Sequence, residues 1–191
     1  MLNGKIFILS GPSGSGKTTL HKMLLASKKL AGKLVKSVSI TTRQKRKGEV
    51  DGRDYFFLTQ KQFFLKIKKN QFLEWQKVFD NYYGTPKDYV HKLLKKGKNV
   101  LLCIDVKGAE VVRSKEPTTV AIFIKVPSFT ILKKRLLARG SDSPEAIKVR
   151  LITARQEMLE AKKYDYVVIN DDLKKALKEL ENILNGELVV T

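Results

Sequence analysis

The sequence predicts an α/β protein in which a parallel sheet is covered by helices on both faces, with a smaller mixed region inserted after the first strand and helix. Two observations predict this class. Short apolar runs of strand composition alternate with segments of helical composition along most of the 191 residues, a pattern typical of parallel sheets. A glycine-rich stretch, GPSGSGKTT at 11–19, stands between the first such run and the first such segment.

The core strands are predicted from short apolar runs, which lie at 5–9, 99–104, 119–126 and 165–169. Segments of helical composition predict helices at 17–28, 86–96, 107–115, 128–138, 144–162 and 172–185. Glycine, serines and proline interrupt two of these helices at 139–147, which predicts the clearest mobile loop. Residues 35–85 differ from the rest, because strand-like pieces near 38–40, 55–58 and 72–75 surround one helix-like stretch at 60–69. We interpret 35–85 as a small mixed insertion beside the core.

Composition is that of an ordinary globular protein, with 42% hydrophobic and 30% charged residues. No apolar run approaches the length of a membrane span, so we expect no membrane partner. The N-terminus enters the first strand almost directly, which leaves no room for a signal peptide and predicts a cytoplasmic location. Cys103 is the single cysteine, so an intrachain disulfide is excluded, and its apolar neighbours predict a buried strand residue.

The formal charge is +19, which by itself would suggest a nucleic-acid partner. Many lysines, however, fall among apolar residues at helical spacing, as solvated helix faces do. We therefore favour general surface basicity and expect no specific nucleic-acid partner. Weak RNA association and electrostatic steering of anionic nucleotides are the alternatives.

The glycine-rich stretch matches G-x-x-x-x-G-K-[ST], the phosphate-binding loop, or P-loop. Its glycines let backbone N–H groups turn toward a phosphate chain, and the helix that follows points its positive end at the same anion. A chance glycine-rich turn is disfavoured, because a strand precedes the stretch and a helix follows it. Lys17 is expected to reach the β- and γ-phosphates, and the Thr18 hydroxyl to ligate Mg²⁺. The candidate ATP-binding residues here are Gly11, Pro12, Ser13, Gly14, Ser15, Gly16, Lys17, Thr18 and Thr19.

The insertion predicts the second substrate. It contains TTRQKRKGEVDGRDYFF at 41–57, FLEW at 72–75 and NYYGT at 81–85, with SVS at 37–39 in front. Arginines and tyrosine hydroxyls suit a phosphate monoester, through charge-assisted hydrogen bonds. A carboxylate paired with a hydroxyl suits a purine.

With these motifs, and with IDVKG at 104–108, RLLARG at 135–140 and VINDD at 168–172, the chain resembles the guanylate kinase family from about Lys5 to about Leu173. The resemblance implies one domain with three parts: a P-loop core at 1–34 and 86–191, a lid at about 128–158 within it, and a GMP-binding insertion at 35–85. The implied activity is transfer of the γ-phosphoryl group of MgATP to GMP or dGMP, giving ADP and GDP or dGDP in purine metabolism.

The resemblance also assigns roles to the residues of the insertion. Glu74 and Thr85 would face guanine, whose ring N–H and exocyclic amine a carboxylate can accept together, while the carbonyl needs a donor such as the Thr85 hydroxyl. For Glu74 the alternative is a surface carboxylate on a strand. For Tyr82 we favour core packing. The remaining residues would surround the GMP phosphate and are Arg43, Arg46, Tyr55 and Tyr83, with Ser39 nearby.

On the lid side, the resemblance implies that three arginines close over the triphosphate: Arg135, Arg139 and Arg150. Arg155 is interpreted as a helix-surface charge. Asn170 would approach the adenine of ATP, and for Asp171 and Asp172 a helix N-terminal role is at least equally supported. The residues expected to act on the transferring group are Lys17, Arg46, Arg139 and Arg150.

One departure from the family pattern concerns Cys103. The family commonly has an acid two residues before Asp105, and positions 103 and 105 share one side of the strand. Asp105 is therefore the better candidate for the acidic role at the strand end, on the GMP side. We expect activity to survive, with weaker GMP affinity or altered handling of Mg²⁺.

Guanylate-kinase-like interaction modules are the rival interpretation, because they keep this fold and bind phosphorylated partners without catalysis. Such modules characteristically degrade the ATP loop, whereas Gly11, Gly16, Lys17 and Thr18 are intact here. Catalysis on ATP and GMP is therefore favoured. The oligomeric state is not predicted.

Overall fold

The computed structural model describes residues 4–78, 80–138 and 144–189. The strands are β1 (Ile6–Ser10), β2 (Leu34–Lys36), β3 (Ile40–Thr41), β4 (Phe56–Phe57), β5 (Phe72–Val78), β6 (Asn81–Pro86), β7 (Asn99–Cys103), β8 (Val120–Lys125) and β9 (Tyr166–Ile169). The helices are α1 (Lys17–Ala26), α2 (Gln60–Lys68), α3 (Lys87–Lys95), α4 (Val106–Lys115), α5 (Phe129–Leu137), α6 (Pro144–Leu159) and α7 (Leu173–Val189).

The central sheet is parallel throughout and has the strand order β2-β7-β1-β8-β9. Successive residues of a strand face opposite sides, and β1 uses both sides for burial. Phe7 and Leu9 pack with α1 and α7 on one face, whereas Ile6 and Ile8 pack with α3 and α4 on the other. The predicted fold class, a parallel sheet with flanking helices, is confirmed.

A second, smaller sheet has the order β4-β3-β6-β5 and lies within the region predicted as an insertion. Helix α2 covers it through Phe63, whose ring stacks on Phe72 with the ring centres 4.6 Å apart. Tyr82 contacts Phe63 and Phe64, in agreement with its interpretation as a packing residue. Thr59 begins α2 with a capping box, because its hydroxyl accepts from the Gln62 N–H while the Gln62 side chain accepts from the Thr59 N–H.

Two strands, β2 and β6, are absent from the predicted runs. β2 has only three residues and pairs with β7, so residues 35 and 36 lie in the central sheet although the predicted boundary places them in the insertion. Residues 144–147 form the first turn of α6 rather than the predicted loop. The rest of that loop, 139–143, lies outside the described residues.

The chain after α6 is held against α4. Arg113 of α4 donates a hydrogen bond to the carbonyl oxygen of Lys163, in the turn that follows α6, and its guanidinium lies 5.7 Å from the centre of the Tyr164 ring. Tyr164 in turn packs edge-on against Phe123 of β8. The C-terminal end of α6 is therefore fixed to the core.

Across the described ranges, no helix combines the length and the apolar character needed to cross a membrane.

Candidate functional site

The loop after β1 has the backbone shape of a phosphate cradle. Gly11, Gly14 and Gly16 have φ angles of 134°, 88° and 91°, which are strained for residues with a side chain. A Cβ at Gly11 would also overlap the carbonyl of Ile124. Helix α1 begins directly after the loop and has no side-chain cap at its N-terminus. Its first N–H groups therefore remain available for an anion.

Lys17 lies over this loop. Its ammonium donates hydrogen bonds to the carbonyl oxygens of Gly11 and Pro12, at 2.6 and 2.9 Å. Thr18 and Thr19 are exposed beside it on a small concave surface that Ser13, Gly14 and Gly16 also line. Six of the nine predicted ATP-binding residues of the loop therefore line one surface.

The ends of two other elements hold the loop in place. Asn170, which follows β9, is buried, and its side-chain amide donates to the Ser15 carbonyl oxygen at 2.7 Å. Arg135 of α5 donates to the Asn170 carbonyl oxygen at 2.9 Å. Asp172 instead caps α7, because its carboxylate accepts from the Lys175 N–H at 2.8 Å, which matches the helix N-terminal interpretation.

Helix α6 supplies the opposite wall. Arg150 donates to the Ser13 hydroxyl at 2.9 Å, and it lines a cavity of about 360 Å³ together with Lys17 and Asp105. Residues of β5 line the same cavity, so it joins the P-loop to the smaller sheet. Arg155 faces away and stacks over Phe129 with its guanidinium 5.4 Å from the ring centre, as a surface charge does. Arg139 lies outside the described residues.

Glu157 is a cavity residue that the sequence analysis missed. Burial raises the pKa of its carboxyl to about 7, with Lys17 opposing the shift and Asp105 adding to it. Arg150, Thr153 and Glu157 all line the cavity. Their spacing of three and four residues places them on one face of α6. Once Arg150 is assigned to the site, this spacing is the sequence signal that would have indicated Glu157.

Glu74 and Thr85 form the polar centre of the smaller sheet. They pair across β5 and β6, and the Thr85 hydroxyl donates to the Glu74 carboxylate at 2.6 Å. Glu74 is only 5% exposed, which contradicts the alternative of a surface carboxylate. Burial raises the pKa of Glu74 to about 7, although the Thr85 hydrogen bond opposes the shift. Because the Thr85 proton is engaged here, a contact with a guanine carbonyl would require the hydroxyl to turn.

The candidate phosphate-binding side chains lie in a second group. Arg43 lies 5.6 Å from the centre of the Tyr55 ring, and Tyr55 is edge-on to Tyr83 with ring centres 6.1 Å apart. Glu49, which the sequence analysis did not single out, accepts from the Arg43 guanidinium at 2.7 Å and from the Arg46 backbone N–H at 2.8 Å. The Arg46 side chain is exposed. Glu49 thus links the two arginines.

Ser39 is half-buried just before β3, where its carbonyl oxygen accepts from the Phe56 N–H at 2.9 Å. This contact places Ser39 next to the strand that follows Tyr55. It uses the backbone of Ser39, so the hydroxyl role remains a prediction.

The carboxyl end of β7 carries Cys103 as its last residue and brings Asp105 to the cavity. Cys103 is partly exposed, not fully buried as predicted, and burial of the thiol raises its pKa while Lys17 and Thr18 oppose the shift. Asp105 caps α4, because its Oδ1 accepts from the Gly108 N–H at 2.7 Å. No cluster of three or more metal-binding side chains of the His, Cys, Asp or Glu type occurs among the residues placed by the structure.

Comparison with known proteins agrees with this geometry. The family model described as guanylate kinase matches residues 3–187. Guanylate kinase of Rickettsia felis is 48% identical over 184 residues, covering 96% of this chain and 94% of that protein. Guanylate kinase of Caldanaerobacter subterraneus subsp. tengcongensis is 46% identical, with 96% and 88% covered.

The crystal structure of guanylate kinase from Anaplasma phagocytophilum is similar in fold, with a TM-score of 0.79 and 34% sequence identity over 97% of this chain and 86% of that chain. Sequence and structure comparisons therefore agree along nearly the whole chain, and the resemblance inferred from the motifs is confirmed. The chain belongs to the guanylate kinase family.

Proposed function

We propose that this chain, as an ATP:GMP phosphotransferase, transfers the γ-phosphoryl group of MgATP to GMP or dGMP and so forms ADP and GDP or dGDP. The observation that carries the proposal is the cavity of about 360 Å³ in which Lys17, Asp105 and Arg150 meet. One wall is the P-loop and another is β5, the strand that carries Glu74. ATP bound at the P-loop, as the phosphoryl donor, and GMP bound at the smaller sheet, as the acceptor, would therefore face each other.

Phosphoryl transfer asks the protein mainly to position charge, because the transition state spreads negative charge over the migrating group. Lys17 would leave the carbonyl oxygens of Gly11 and Pro12 and contact the β- and γ-phosphates. Arg150 would contact the transferring group from the lid side, and Arg46 would contact it from the insertion. Arg139 completes the proposed set.

The nucleotide bases would bind on opposite sides of the cavity, beyond the residues that line it. Asn170 and Arg135 would contact ATP, since both already hold the P-loop. Glu74 and Thr85 would bind guanine, with Asp105 beside them. The GMP phosphate would lie among the arginines and tyrosines of the insertion, with Ser39 nearby; these are Arg43, Arg46, Tyr55 and Tyr83.

The oxygen donors at the loop fit Mg²⁺. The Thr18 hydroxyl is exposed in the first turn of α1, and a hard cation that keeps several waters needs few protein ligands beside nucleotide phosphates. Thr18 would hold the Mg²⁺, which would supply positive charge to offset that of the nucleotide phosphates. A cytoplasmic location and a role in GMP recycling belong to the same proposal.

A coupled ADP-release assay with MgATP and GMP, dGMP, AMP, CMP or UMP tests the proposal. We expect turnover with GMP and dGMP and little with the others. An interaction module would release no ADP with any of them.

Lys17→Ala should lower kcat with GMP by about 100-fold or more while the protein stays folded, because it removes the charge placed on the migrating group. Lys22→Ala is the matched control, since Lys22 is an exposed lysine of the same helix. Near-normal turnover in folded Lys17→Ala would show that the P-loop has been assigned wrongly.

A further inference from the structure

Gly108, in the first turn of α4, lies between the two acidic side chains of the proposed guanine site. A Cβ built on it would lie 2.9 Å from Glu74 Oε2 and 3.2 Å from Asp105 Oδ1. Its backbone N–H donates to the same Asp105 oxygen at 2.7 Å. Gly108 is buried, and its φ is not among the positive values.

The backbone conformation therefore gives no reason for glycine at this position. Alanine is a much stronger helix former than glycine, because it loses less backbone entropy on folding. Glycine in a helical turn is thus unfavourable for α4 itself. The remaining structural reason for glycine at position 108 is the space left by the absence of a side chain.

Helix α4 is closely packed on β5 and has little freedom to move away. Ala109 and Val112 lie in one buried cluster with Leu73, the residue before Glu74. Lys115, at the end of α4, donates to the Leu73 carbonyl oxygen at 2.5 Å. When a methyl group is added at position 108, the most mobile neighbour is therefore the end of the Glu74 side chain.

We propose that Gly108 is a positioning residue for guanine recognition. Its N–H orients Asp105, and its lack of a side chain leaves the space that the Glu74 carboxylate occupies. A methyl group at position 108 would displace that carboxylate from its place beside Thr85, and a pocket that pairs polar groups is sensitive to such a shift. The inference rests on the proposed guanine contact of Glu74.

Gly108→Ala tests this proposal against a purely structural role. GMP and AMP would share the same phosphate contacts. The contribution of the base to binding is therefore measured by one ratio, the inhibition constant of AMP divided by the KM for GMP. We expect this ratio to fall by at least about threefold in Gly108→Ala, with the KM for ATP unchanged. Alanine favours the helix but the disturbed contact between Glu74 and Thr85 opposes this gain, so we expect a melting temperature close to that of the wild type.

Gly186→Ala is the matched control. Gly186 is also a helical glycine, in α7, but a Cβ there meets nothing within 4 Å. It should therefore gain the same helix propensity and keep the wild-type ratio. A Gly108→Ala ratio within threefold of the wild-type value would overturn the proposal.

Glu74→Asp in the Gly108→Ala background covers the case in which the single variant unfolds. Aspartate is one methylene shorter, so the double variant should be more stable than Gly108→Ala if the clash is with the carboxylate. A double variant no more stable than Gly108→Ala would also overturn the proposal. Glu74→Gln separates this result from the guanine assignment itself. If Glu74→Gln alters the ratio and Gly108→Ala does not, the inference about Gly108 is wrong while the proposed function stands.

Discussion

Glu74 is the side chain at which burial and charge conflict most clearly. Its carboxyl is almost fully buried, receives one side-chain hydrogen bond from Thr85, and lies close enough to Asp105 for repulsion to raise its pKa further. Guanine would bring two N–H donors to the same group. Burial opposes ionisation of Glu74 in the free protein, and these donors would favour it in the complex.

Base choice and phosphate affinity should be separable between two residues. Glu74→Gln replaces one acceptor oxygen by a donor amide, so the preference for GMP over AMP in kcat/KM should fall by at least about tenfold. Arg46→Ala should weaken all monophosphates together and leave that preference nearly unchanged. If Glu74→Gln keeps the wild-type preference, the guanine site lies elsewhere even if the protein phosphorylates nucleotides.

The raised pKa of Glu74 also predicts how stability depends on pH. Folding moves this pKa from 4.5 to about 7, so between these values the folded protein holds a proton that the unfolded chain has released. The associated stability is present at low pH and is lost as pH rises through about 7. From pH 5 to pH 8, the free energy of unfolding of the wild type should fall by about 3 kcal/mol more than that of Glu74→Gln.

Denaturant unfolding at the two pH values measures this difference. Glu179→Gln, on an exposed position of α7, is the control and should behave like the wild type. If the free energy of unfolding changed with pH in the same way in the wild type and Glu74→Gln, Glu74 would not be the group that holds the proton.

At the level of elements, local chemistry decided what the sequence could predict. The strand, glycine loop and helix at 6–26 were predictable because their signals are contiguous. β2 and β6 were not, because β2 has three residues and β6 contains a glycine and ends in a proline, so their pairing depends on distant strands.

The site residues were likewise predictable where the signal lay in a local motif, and less so where it depended on distant partners. The motifs named the residues around the P-loop and in the insertion, and the structure brings most of them together. Glu49 was missed because its place depends on the Arg43 guanidinium, a partner that the sequence does not reveal. Glu157 was missed although its spacing from Arg150 was a signal, because only the structure shows that this face of α6 lines the cavity near Lys17.

The end of β9 should act as a brace for the P-loop. Asn170→Ala removes the amide that bonds the Ser15 carbonyl oxygen, and a buried carbonyl left unpaired costs about 1 to 3 kcal/mol. We expect the KM for ATP to rise by about tenfold while the KM for GMP changes little. Asn185→Ala is the control, because Asn185 lies in α7 and the variant removes an exposed contact with Lys33, which lies just before β2. Equal effects on the two substrates would contradict a brace specific to the P-loop.

Over the whole molecule, cationic side chains from separate elements face one cleft. Lys17 belongs to the P-loop, Lys77 lies on β5, Lys107 on α4 and Arg150 on α6, and all four line the cavity. They outnumber Asp105 and Glu157, the acids that line it with them. Part of the positive charge of the chain is therefore placed where it would attract anionic nucleotides.

Because the insertion and the lid supply cations to one anionic site, binding of both nucleotides should draw them together. Solution scattering should show a smaller radius of gyration with GMP plus a non-hydrolysable ATP analogue than without ligand. GMP alone, which engages the insertion only, is the control and should give a smaller change. An unchanged radius with both ligands would argue against closure.

The contact of Arg113 with the turn after α6 fixes one end of that helix, and because Ala154 packs on Leu132 and Leu136, α5 and α6 would turn about this end together. The 16 residues of α6 give an arm about 24 Å long. Arg150 lies 13 residues before Lys163 and Glu157 lies six, so one rotation about the fixed end carries Arg150 about twice as far as Glu157. A modest swing would lift Arg150 off Ser13 while Glu157 stayed near the floor of the cavity. Nucleotides could then exchange through the outer half of the cleft without its inner wall being taken apart.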